Sequence, residues 1–85
     1  MIAEKVILWN TNYGKVASSL KEVMKKKNIS ISQICRLTGI KYEIIKNYYS
    51  NNIVRYDAET LAKLCYVLDC AVSDLITYIP NHKPL

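Results

Sequence analysis

Between Ile31 and Ser50 the chain is written as two short helices with a sharp corner between them, and few folds accommodate that arrangement. Ser30 followed three positions later by Gln33 is a capping box, in which the hydroxyl satisfies one orphan backbone donor and the amide reaches back to another. A helix begins there. Its apolar positions Ile31, Ile34, Cys35 and Leu37 last about two turns before Gly39 supplies the backbone freedom a tight turn needs. Ile40 points back inward. Lys41 to about Ser50 then predicts a second helix, with Ile44, Ile45 and Tyr48 on one side and Tyr42, Glu43, Lys46 and Asn47 on the other. Helices that cross steeply need a small residue at the contact, here Cys35, and Ile45 and Tyr48 must be buried to hold the angle.

The flanks read as further helices. Asn12 is placed to cap a helix whose apolar positions Val16, Leu20, Val23 and Met24 share a face, and the basic run Lys25 to Lys27 complements the dipole at its C-terminus before Asn28 stops it. Asp57 caps another, with Leu61, Leu64, Cys65 and Leu68 at helical spacing and an end near Asp69. A short fifth helix is expected over roughly Ser73 to Tyr78, carrying Leu75, Ile76 and Ile79 as far as Pro80. Val6, Ile7, Leu8 and Trp9 have extended character. The expectation is an all-α, five-helix domain over 13–79, with an N-terminal extension over 1–12 and a tail over 80–85; 85 residues hold one core.

Several function classes drop out. No run approaches the roughly 18 apolar residues of a membrane span. Three cysteines, Cys35, Cys65 and Cys70, cannot all pair within one chain, which suits a reducing, cytoplasmic setting and small core side chains. The single histidine, His82, lies in the tail and no C-x-x-C pair exists, so no metal site is expected. With no phosphate loop and no Cys and His constellation, there are no catalytic residues to nominate, no cofactor is implied and no small-molecule ligand is evident; an enzyme is not expected. Seven tyrosines raise base stacking, yet Tyr48 and Tyr66 fall on or beside apolar faces and read as core; Tyr49 and Tyr56 divide between core packing and phosphate contact.

Charge points outward. The chain carries twelve Lys and Arg against seven Asp and Glu, and eight of the basic residues but only two of the acidic ones fall between Lys21 and Arg55. That concentration coincides with the helix pair and fits a polyanionic partner.

The stretch SISQICRLTGIKYEIIKNYY, from Ser30 to Tyr49, resembles the phage-repressor and Cro type helix-turn-helix family (lambda-repressor-like). TLAKLCYVLDC from Thr60 and SDLITYIP from Ser73 are similar to the fourth and fifth helices of its short single-domain bacterial branch. The resemblance implies a small transcriptional regulator, a repressor acting as a homodimer on double-stranded DNA, with the helix over about 41–50 in the major groove. Outward residues early in that helix would read bases: Tyr42, Glu43, Lys46 and Asn47. Ser30, Gln33, Lys41, Asn51, Asn52 and Arg55 would contact phosphates. Two positions depart from the family. Ile31 stands where a polar side chain often touches phosphate, and Asn51 where a glycine often closes the helix. The apolar segment Ile2 to Trp9 either pairs with a twin or covers its own core, and the other reading of the chain is a protein-interaction module on the same fold, an antitoxin-like or anti-repressor partner.

Overall fold

The computed structural model describes residues 6–81. In chain order they form β1 (Lys15–Ser18), α1 (Leu20–Lys27), α2 (Ile31–Thr38), α3 (Tyr42–Ser50), α4 (Ala58–Leu68), α5 (Val72–Leu75) and β2 (Ile76–Ile79). Each of the five helices contributes one fully buried aliphatic side chain: Leu20, Ile34, Ile45, Leu64 and Leu75 in turn. Burying a side chain of that size stabilises by about 1.5–3 kcal/mol, so the five form the centre on which every helix depends. Val23, Met24, Ile40, Tyr48 and Leu68 complete the cluster.

Helix ends are set locally. The Asp57 carboxylate accepts the Thr60 backbone N–H at 2.9 Å and the Thr60 hydroxyl at 3.0 Å, which fixes the start of α4. Where α1, α3 and α4 stop, Asn28, Asn51 and Asp69 take the left-handed conformation at φ 54°, 64° and 51°. Asn and Asp are the non-glycine residues that best tolerate it, because their short polar side chains bond locally.

The all-α expectation holds for the helices and fails at both ends of the domain. Asn12 does not cap a helix; its side-chain oxygen accepts the Gly14 N–H at 3.2 Å, and the chain leaves that turn as β1. β1 pairs antiparallel with β2 in the register Lys15↔Ile79, Val16↔Tyr78, Ala17↔Thr77 and Ser18↔Ile76. The first helix therefore begins at Leu20. The fifth helix lasts a single turn, and its expected second half, Ile76 to Ile79, is strand. β-branched and aromatic side chains favour the pleated conformation once a partner strand exists, and that partner lies some sixty residues away in sequence, beyond any local periodicity.

Smaller expectations are also corrected. Val6 to Leu8 form no strand within the domain; Leu8 and Thr11 bond each other across a turn at Trp9 and Asn10. Ile2 and the end of the tail lie outside the described residues. Leu37, Ile44 and Tyr66 are exposed, not packed, because the apolar faces of α2, α3 and α4 are narrower than their composition suggests. The three cysteines are free thiols, and they are half-buried at the core's rim, not enclosed in it. Among the described residues no helix is long and apolar enough to cross a membrane.

Candidate nucleic-acid interface

The capping box of α2 forms as its residues require: the Gln33 backbone N–H donates to Ser30 Oγ at 3.2 Å, and the Ser30 N–H donates to Gln33 Oε1 at 2.9 Å. Two turns later the Thr38 hydroxyl donates to the Ile34 carbonyl at 2.7 Å. Gly39, at φ 75°, closes the helix with its N–H on the Cys35 carbonyl at 2.9 Å. Nothing lies within 4 Å of where a Gly39 side chain would begin, so the turn needs glycine for its dihedral alone.

Lys41, extended at φ −65° and ψ 145°, leads into α3. Ile45 and Tyr48 bury one side of that helix. At about 100° per residue, Glu43, Lys46, Asn47 and Ser50 face the opposite way, and all four are exposed. Tyr42 and Ile44 occupy the two flanks, each partly uncovered. Ser50 belongs to this outer face and was absent from the sequence-based set; its place four residues beyond Lys46 is the signal that finds it. Val54, almost fully exposed in the following loop, had no such signal.

The sequence-predicted phosphate residues separate into groups. Asn52 and Arg55 come together along one open cleft of ≈ 350 Å³ between α3 and the loop before α4, joined there by Asn47, expected to read bases, with Ile44 and Tyr48 also on its wall. Ser30 and Gln33 border a different depression, shared with Lys25 and Asn28 at the end of α1. Lys41 stands exposed at the head of α3. Asn51 directs its side-chain oxygen to β1, accepting the Ser18 backbone N–H at 2.9 Å.

Two tyrosines support the cleft from beneath. The rings of Tyr48 and Tyr56 meet edge to face, 5.6 Å between centroids and 78° between planes. Among the described residues neither hydroxyl makes a well-formed hydrogen bond; burial pushes the pKa of both above the usual phenol value, with the nearby Asp57 backbone N–H pulling Tyr48 part of the way back. Tyr56 thus packs inward; Tyr49 is half-buried, with Lys21 Nζ 5.6 Å from its ring centroid.

Two short helices joined at a left-handed glycine, the second with a polar face turned to solvent, define a helix-turn-helix DNA-binding domain. The chain belongs to the Cro/C1-type helix-turn-helix DNA-binding domain family, whose model matches residues 19–81. The chain is accordingly a DNA-binding regulator of that type. It is 33% identical over 61 residues to YopS of Bacillus subtilis strain 168, described as an uncharacterized, SPbeta prophage-derived HTH-type transcriptional regulator; the match spans 69% of this chain and 80% of that protein. Two solved structures share the fold, each with a TM-score of 0.66. A candidate DNA-binding protein from Bacteroides fragilis is 19% identical and covers 74% of this chain and 100% of its own. The transcriptional regulator VanUg is 15% identical and covers 91% of this chain and 100% of its own.

Proposed function

We propose that the chain is a cytoplasmic transcriptional repressor that binds a specific double-stranded DNA sequence as a homodimer, with α3 in the major groove. The observation that carries this reading is the division of α3 itself: Ile45 and Tyr48 are buried while Glu43, Lys46 and Asn47 are exposed, within the segment that holds most of the positive charge. Lys46 suits the acceptors of guanine, Asn47 the donor and acceptor edge of adenine, Glu43 the amino group of cytosine, and Tyr42 a thymine methyl or a phosphate. Lys41, Arg55, Asn52, Ser30 and Gln33 would hold the backbone on either side, while Asn51, whose side-chain oxygen is engaged by the Ser18 N–H, is set apart from that group. A single reading helix spans few base pairs, so two copies with half-sites about 34 Å apart are needed for useful specificity. The exposed, directly paired Val16 and Tyr78 share one face of the ribbon and offer a surface for that pairing.

Binding to a selected duplex and to a random one, titrated over a range of salt concentrations, tests the assignment. Lys41→Ala and Arg55→Ala are each expected to weaken both complexes and to lower the salt slope by about 1. Lys46→Ala and Asn47→Ala are expected to relax sequence preference as well. Equal losses on both duplexes for all four variants would remove the reading helix. The second reading, a protein-interaction module, draws on the exposed run Val6, Ile7, Leu8 and Trp9, and it requires affinity for duplex DNA to be absent.

A further inference from the structure

The two ends of α3 are held by different means. At its N-terminus the Gly39 turn fixes the entry. At its C-terminus Asn51 does two things at once: it takes the left-handed conformation that ends the helix, and its Oδ1 accepts the backbone N–H of Ser18, 33 positions away in sequence, at 2.9 Å. The Ser19 N–H donates to the Leu75 carbonyl at 2.7 Å, so Ser19 and Leu75 face each other as a bonded pair. Alternation along an antiparallel ladder makes the next pair, Ser18 and Ile76, non-bonded, and the Ser18 N–H points away from β2. Asn51 meets that outward donor. Ser18 Oγ meanwhile accepts the N–H of Leu20, the first residue of α1, at 3.3 Å. Ser18 is thus a node joining β1, α1 and α3. Tyr49, two residues before Asn51, lies beneath Lys21 of α1, which ties the same end of α3 to the same neighbours.

We propose that Asn51 is a positioning residue for base reading: through Ser18 it sets the angle at which α3 leaves the bundle, so that Lys46 and Asn47 meet base edges in register. The inference rests on α3 being the reading helix and assigns Asn51 a role other than phosphate contact. Base-edge hydrogen bonds tolerate little misalignment, since they weaken steeply as the donor angle falls toward 120°. Contacts from exposed Lys41 and Arg55 to phosphates adjust along flexible stems. A helix free to tilt at its far end therefore loses discrimination first and general affinity last. Glycine at position 51 would satisfy the dihedral; the side-chain acceptor oxygen is what it would lack.

Asn51→Gly isolates the amide, because it keeps the left-handed turn and deletes the acceptor. The full chain is compared with this variant and with Asn51→Asp, which retains an acceptor oxygen. The probes are the tightest duplex that the wild-type chain selects from a random pool and a scrambled duplex of equal composition. Amide hydrogen exchange at Ser18 reads the clamp directly. The expected result for Asn51→Gly is faster Ser18 exchange, a roughly two- to tenfold loss on the selected duplex, the range a single net hydrogen bond spans, and a change within about twofold on the scrambled one. Asn51→Asp is expected to restore Ser18 protection and the ratio between the two duplexes. Equal losses on both duplexes would make Asn51 a phosphate contact and overturn the proposal, as would an unchanged ratio alongside a deprotected Ser18. A wild-type chain that fails to distinguish the duplexes would overturn the parent reading, a result separable from either of these.

Discussion

The Thr38 hydroxyl accepts the backbone N–H of Ile40 at 3.1 Å across the Gly39 turn, while donating its own proton to the Ile34 carbonyl at 2.7 Å. One side chain thereby satisfies both the end of α2 and the approach to α3. Thr38→Val keeps the branched shape and leaves the Ile40 N–H without its partner, at an expected cost of about 1–3 kcal/mol. Urea unfolding measures it. Binding to a selected duplex should weaken in the same variant under conditions where it is fully folded, because the turn sets the entry angle of α3. An unfolding midpoint equal to that of wild type would show that the hydroxyl contributes nothing at the turn.

The two glycines make contrasting demands. Gly39 needs only its positive φ of 75°, so Gly39→Ala is expected to cost about 1–2 kcal/mol through strain, and Gly39→Asn less. Gly14 has φ 82° and also sits against the Ile79 carbonyl, into which a Cβ would be driven. Gly14→Ala should therefore destabilise more than Gly39→Ala and should open the ribbon. Chemical denaturation of the two variants side by side, with exchange at the Ala17 amide, gives the order; the reverse order would contradict the close approach.

Neighbouring isoleucines on α3 differ in the same testable way. Ile45 is 0% exposed and Ile44 is 39% exposed. Ile45→Ala is expected to cost about 2–5 kcal/mol, a fully buried truncation. Ile44→Ala should change stability little and, if the cleft beside Asn47 and Arg55 receives DNA, should alter binding instead. Similar stability losses for both would mean that the rotation of α3 is different from the one described.

Much of this was legible because its causes are local. The Ser30 and Gln33 box, the Gly39 stop and the Asp57 cap are set by residues within a turn of one another, and each forms as written. The outward face of α3 followed from spacing alone once Ile45 and Tyr48 were placed inside. The ribbon was not legible, because Val16 shares the spacing of Leu20 and Val23 and imitates a helix start. The helix begins only after Ser19, which makes no side-chain capping hydrogen bond at that end. The bond between Asn51 and Ser18 was hidden for the same reason as the ribbon: Ser18 becomes a neighbour only after β1 and β2 pair.

The start of α4 should carry a visible acid dependence. Hydrogen bonds from the Thr60 backbone and hydroxyl hold the Asp57 carboxyl below the usual carboxylate range, outweighing desolvation, and Lys63 adds the smallest push the same way. A carboxylate whose pKa is depressed by folding contributes its stability above the unfolded value of about 3.9 and loses it as pH falls through the lower, folded value. Asp57→Asn keeps an oxygen at the cap and removes the titration. The unfolding midpoint of the variant is expected to lie below that of wild type at neutral pH, with the gap closing as pH falls through and below the unfolded value of about 3.9. Two curves that stay parallel through that window would mean that the carboxylate's charge is idle at this helix end and that the cap acts through its oxygen alone.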